Sequence, residues 1–155
     1  MEFNDTFLEI LKERDAFYKR GIQLASSKEL TSETISEVTA AFAQAQSEFE
    51  PVTKNKQGYG YKYATLESLL DATRPVLNKH GLSLTQLVDE NNILHTRIFH
   101  SSGEWFESRM KLKEVSASDK KSYEQAYGTM MTYMRRYHAL AVLGVQPSNE
   151  DTDGR

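Results

Sequence analysis

Between Leu82 and Leu112 the chain passes through three stretches of alternating character, LSLTQLV, ILHTRIFH and EWFESRMKL, joined by DENN and SSG. Links this short close hairpins and leave no room for a crossover, so the three runs are predicted to form an antiparallel meander. Alternation with a period of two sorts the side chains by face. His95 and Arg97 fall opposite Leu94 and Ile98. Trp105, Glu107, Arg109 and Lys111 fall opposite Phe106, Met110 and Leu112. One face is apolar, and the other is basic and aromatic.

Helical spacing flanks these runs. Phe3, Phe7, Ile10, Leu11, Tyr18, Ile22 and Ala25 predict an amphipathic helix over 3–27. Thr31 or Ser32 is expected to cap a second helix with the stripe Ile35, Val38, Phe42, Ala45 and Phe49, which Pro51 ends. Residues 51–60 lack periodicity and read as an exposed loop. Tyr59, Tyr61 and Tyr63 alternate, as in a short extra strand. Thr65 can cap a third helix carrying Leu66, Leu69, Leu70, Thr73, Val76 and Leu77, with a kink expected at Pro75 and a stop at Gly81. A long helix is predicted from about Lys121 to Leu143, with Tyr123, Tyr127, Met130, Met134, Tyr137 and Ala141 as its stripe. Its apolar end, ALAVLG, is expected to be buried. The fold class is α+β, a three-stranded meander packed on a long helix. Three segments follow: an N-terminal helix to residue 30, a core over 31–146, and an acidic, mobile end at 147–155.

Charge separates the same segments. Residues 1–50 hold 5 basic and 10 acidic side chains, whereas residues 51–148 hold 13 basic and 9 acidic ones. A polyanionic partner is therefore expected at the middle of the chain. The sequence contains no cysteine, which removes thiol catalysis and cysteine-ligated zinc and fits a reducing cytoplasm. No apolar window is long enough for a membrane span, and the first ten residues lack the layout of a signal peptide. His80, His95, His100 and His138 show no metal-ligand spacing. A P-loop and a nucleophile elbow are both missing. These features point to a binding protein that needs no cofactor rather than to an enzyme.

Two motifs remain. KNKQGYGYKY, residues 54–63, places Lys54, Lys56 and Lys62 among Tyr59, Tyr61 and Tyr63 without an acid. Lysines can neutralise phosphates and tyrosines can stack on bases, although the same composition also suits a solvated basic loop. In YGTMMTYMRRYHAL, Arg135 and Arg136 point about 100° apart on a helix, so at most one shares the tyrosine–methionine stripe. Gly128 and Thr129 permit close packing or close approach of a backbone. The plainer alternative is a core helix whose arginines sit in ion pairs.

The run from about residue 40, AAFAQAQSEFEPVTKNKQGYGYKYATLESLLDATRPVLNKHGLSLTQ, resembles the ERF (essential recombination function) family of phage single-strand annealing proteins. So do SSGEWFESRMKL and QAYGTMMTYMRRYHALAVLGV with the acidic NEDTDG that follows. The resemblance spans roughly residues 31–154, and residues 1–30 carry none of it. It implies a bacterial cytoplasmic, phage- or prophage-encoded protein that binds single-stranded DNA and anneals complementary strands without ATP. It also implies ring or helical homo-oligomers, an annealed duplex intermediate, and a phage exonuclease or host single-strand-binding protein as partners. The family motifs fall on Lys54, Lys56, Tyr59, Tyr61, Lys62, Tyr63, Arg74, Tyr133, Arg135, Arg136 and Tyr137. Arg97, Arg109 and Lys111 join them as DNA-binding candidates from the basic sheet face. Two other readings stay open: a single-strand-binding protein that coats without annealing, and a self-assembling phage structural protein. Family members often continue past the acidic end, so a tail function is expected to be absent here.

Overall fold

A computed structural model describes residues 29–59 and 62–146, together with Glu9, Lys12 and Glu13. Most of the helix expected over 3–27, Tyr61 and the acidic end lie outside the described residues. The elements run α1 (Ser36–Glu48), β1 (Lys56–Gln57), β2 (Lys62–Tyr63), α2 (Leu66–Lys79), β3 (Leu82–Val88), β4 (Ile93–His100), β5 (Trp105–Lys111) and α3 (Tyr123–Leu143). The architecture is α+β.

The meander has the expected form, an antiparallel sheet in the order β3-β4-β5 with Leu84, Ile98 and Phe106 in register. In the β3–β4 turn, the Asp89 carboxylate accepts the N–H groups of Asn91 and Ile93 at 2.9 and 3.0 Å. It is built into the turn. The inner sheet face carries the buried Leu82, Leu94, Ile98 and Leu112. All but Leu94 and Leu112 share one core cluster with Val38, Ala45, Leu69, Leu77, Ala139 and Leu143 from the three helices. Each large aliphatic side chain buried there contributes about 2 kcal/mol.

The start of α1 departs from expectation. Its N-cap is Ile35, which makes no side-chain cap bond. Thr31 and Ser32 instead lie along the edge of β5, whose backbone groups need partners. Ser32 N–H donates to Trp105 O at 2.9 Å, Trp105 N–H donates to Ser32 Oγ at 2.9 Å, and Glu107 N–H donates to Leu30 O at 2.7 Å. The capping acceptor comes from a distant residue. The buried Glu104 accepts the Val38 N–H at 2.8 Å, and this bond holds its carboxyl below the usual carboxylate range.

The 51–60 segment is less loose than its composition suggests. Val52 is buried and donates its N–H to Gln146 O at 3.1 Å. Lys56–Gln57 then pairs with Lys62–Tyr63 in a two-rung hairpin. In α2, Thr65 caps as predicted, accepting Ser68 N–H at 3.1 Å. The helix is continuous through Pro75, and Gly81 follows it at φ +70°, a conformation that favours glycine.

The Ser122–Gln125 capping box opens α3, and Gly144 ends it in the left-handed conformation. Its inward face is not the tyrosine stripe. Arg136, His138, Ala139 and Leu143 are the buried positions, while Tyr123, Tyr133 and Tyr137 remain exposed. His138 accounts for the rotation. Its ring nitrogens lie 2.9 Å from Thr96 Oγ1 on β4 and 2.9 Å from Ser108 Oγ on β5, so the helix must turn this side chain onto the sheet. One turn earlier, Arg135 Nε donates to Gln86 Oε1 at 3.3 Å, and Gln86 Nε2 donates to Arg135 O at 3.0 Å.

Burial holds the His138 imidazole below the ordinary histidine value of 6.5. As pH falls below 6.5 the unfolded chain takes this proton first, so the contribution to stability is lost from there down to the depressed folded value. His138→Gln is expected to lose about 1–3 kcal/mol at neutral pH and to flatten that acid limb. Urea unfolding of both proteins at pH 7.5 and 5.5 measures it, and equal acid losses in the two would show that His138 plays no such part.

Candidate nucleic-acid interface

The β1–β2 hairpin, the N-terminal turn of α2 and one side of α3 enclose a groove of about 780 Å³. Lys56, Tyr63, Glu67, Gly128, Tyr133 and Arg136 are among its lining residues. Both motifs singled out in the sequence therefore meet here, although 64 residues separate Tyr63 from Tyr127 in the chain.

Arg136 lies at the base of the groove and is only 8% exposed. Its guanidinium carbon stands 4.4 Å from the centre of the Tyr63 ring, 4.9 Å from that of Tyr137 and 5.3 Å from that of Tyr133. One Nη1–H donates to Ala64 O at 3.4 Å. Among the described residues no carboxylate reaches ion-pair distance of it. Ring faces stabilise a guanidinium by about 0.5–2 kcal/mol, and no side-chain nitrogen among the described residues is both fully buried and unpaired. The arrangement suits an anion that supplies the remaining acceptors. Tyr133 and Tyr137 lie with ring centres 4.4 Å apart, and both are about half exposed.

The outer sheet face carries the other cations and treats them differently. Glu107, whose side chain is 1% exposed, receives Arg97 at 2.6 Å, Arg109 and His95 Nδ1 at 2.9 Å. His95 Nε2 meets Asp89 at 2.9 Å. Burial pushes the Glu107 carboxyl up, but the bonds from Arg109, His95 and Arg97 outweigh it and hold the group below the usual range. Asp89 and then Glu107 raise the His95 imidazole above 6.5. Arg97 also stacks 3.8 Å above the Trp105 ring, and Arg109 donates to Glu29 O at 2.8 Å. Lys111 donates to Asn91 O at 2.5 Å.

The candidate residues thus divide. Lys56, Tyr63, Tyr133 and Arg136 gather at the groove, and the exposed Lys62 lies on the same hairpin without lining the groove. Tyr59 is fully exposed beside that hairpin, and Lys54 is half-buried just before it. Arg135 turns to Gln86, and Arg74 is exposed on α2. Arg97, Arg109 and Lys111 lie across the sheet from α3. The groove lies between hairpin and helix, because the inner sheet face is filled by the core. Sequence reasoning passed over Gln125 and Thr132 as groove residues and Glu107 as an arginine partner. Glu107 was readable: it shares a face with Arg109 two residues on, and it faces Arg97 in the strand register. Among the described residues no acid–histidine cluster suits a metal ion, and no helix is long and apolar enough to cross a membrane.

The family model described as the ERF superfamily matches residues 38–155. No curated protein and no solved structure matches the chain.

Glu107→Gln would leave two arginines and His95 crowded without their shared acid. A loss of about 3 kcal/mol in chemical denaturation is expected, the low end for a broken buried pair because the cations reach solvent. A variant as stable as the parent would mean the cluster holds nothing together.

Proposed function

This chain belongs to the ERF superfamily, a family of phage single-strand annealing and recombination proteins, and from that premise we propose that it binds single-stranded DNA in the hairpin–α3 groove and anneals complementary strands without ATP. The observation that carries the reading is Arg136, a guanidinium buried among tyrosines, without a carboxylate among the described residues, at the base of an open groove. Phosphate is the anion whose geometry matches its fork of donors. Lys56, and Lys62 on the same hairpin, add charge along the same track. The tyrosines offer ring faces for bases.

The mechanism is physical rather than covalent. Cations that neutralise one phosphate rail lower the repulsion felt by an incoming complementary strand. Nucleobases outside the groove stay unpaired and sample registers, and stacking of about 1.4 kcal/mol per step drives the product. Assembly of copies into a ring or filament would extend the track and multiply weak contacts. A nuclease that exposes the strand, or a host single-strand-binding protein that covers it, is the kind of partner such a step requires.

Mixing labelled complementary oligonucleotides with the protein across salt concentrations tests this, beside a mass measurement of the assembly. Faster pairing than the protein-free reaction is expected. Slower pairing would identify a coating protein, and no salt-dependent binding would leave a structural role. Lys56→Ala is expected to weaken binding to all sequences alike and to reduce the salt slope by about one unit. Arg136→Lys keeps the charge but loses the fork, and it is expected to bind at least about tenfold more weakly. Parent-like binding by Arg136→Lys would remove the buried guanidinium from the DNA track.

A further inference from the structure

Gly128 stands inside the 21-residue helix α3, as its sixth residue. Glycine destabilises a helix interior relative to alanine, so its presence calls for a local reason. Packing supplies none. A β-carbon built at Gly128 would meet no atom within 4 Å, and the backbone there is helical rather than left-handed. The space a side chain would take is open, and it is the groove itself.

The neighbouring groups show what that space suits. Thr129 and Thr132 donate their hydroxyl hydrogens to Gln125 O at 2.8 Å and Gly128 O at 3.0 Å. What they turn outward is lone pairs and methyl groups. At these two threonines the wall therefore offers no hydroxyl donor for phosphate, and beside Gly128 it presents a bare helix backbone flanked by methyls and acceptors. An independent feature marks the same groove as a ligand site: Arg136 is more than nine-tenths buried, lines it, and among the described residues gives one of its five N–H donors, to Ala64 O.

We infer that Gly128 is a seat for one nucleobase of the bound strand, lying against the α3 backbone, while Arg136 and Lys56 hold the adjoining phosphates. The inference rests on the single-strand reading above and adds a division of labour within the groove. One base per chain is anchored, and its neighbours stay free to pair. The clearance at Gly128 sets how closely a flat ring approaches.

The test compares oligothymidylate with an abasic deoxyribose–phosphate oligomer of equal length. It uses the parent protein, Gly128→Ala, Gly128→Leu and Arg136→Lys. Both Gly128 variants are expected to fold, with Gly128→Ala raising the thermal midpoint by about 2–4 °C. Binding to oligothymidylate should fall several-fold for Ala and about tenfold or more for Leu, the size of one lost base stack. Binding to the abasic oligomer should stay at the parent level in both. Arg136→Lys should lose affinity for both oligomers alike. Undiminished oligothymidylate binding by Gly128→Leu overturns the seat while leaving the DNA reading intact. Equal losses on both oligomers also overturn it, because the position would then touch sugar and phosphate. A parent protein that binds neither oligomer overturns the single-strand reading and the seat with it.

Discussion

A neutral imidazole held between two hydroxyls fixes the long helix against the sheet. His138 joins Thr96 and Ser108 on neighbouring strands, and the reciprocal pair of Arg135 and Gln86 ties the preceding turn to β3. Positions 135 and 138 lie on nearly the same side of a helix, and position 136 points about 100° away from 135. Once the first two face the sheet, Arg136 can only face the hairpin side. The aim of the groove's central cation is thus set by hydrogen bonds on another side of the same helical turn. The exposure of the tyrosines follows from the same rotation, since inner positions are taken by Ala139 and Leu143.

Two groups of arginines show how surroundings, not residue type, decide a role. Arg97 and Arg109 share a buried carboxylate, and Arg97 lies on an indole ring. Their charge is compensated internally and their side chains help hold a sheet face together. Arg136 has aromatic faces and one carbonyl but no carboxylate within reach among the described residues. Net charge by segment pointed to the middle of the chain and could not separate these groups. Separation depends on which cation finds an acid, and that is a tertiary fact.

The strands were legible because alternation and short links are local properties, and their ends match to within a residue. The Thr65 cap and the Gly81 stop were legible for the same reason. The start of α1 was not. Its capping acceptor, Glu104, lies 66 residues away, and the nearby Ser32 that resembled a cap is used by the edge of β5. Periodicity gave the sheet two distinct faces and even their composition. It gave α3 a stripe of large side chains, but the inward face was chosen by one polar contact that no hydrophobic pattern encodes. The two sequence motifs could each be seen, yet their meeting at one groove required the fold. Gly128 was visible as a glycine in a helix, and only the empty space around it distinguishes clearance from close packing.

The single tryptophan of the chain, Trp105, sits beneath Arg97 on the sheet face turned away from α3, whereas the groove holds tyrosines. Excitation selective for indole reports the sheet's far side, and a strand lying on α3 has no direct way to quench it. The indole emission therefore responds to a rearrangement that crosses the sheet rather than to occupancy of the groove.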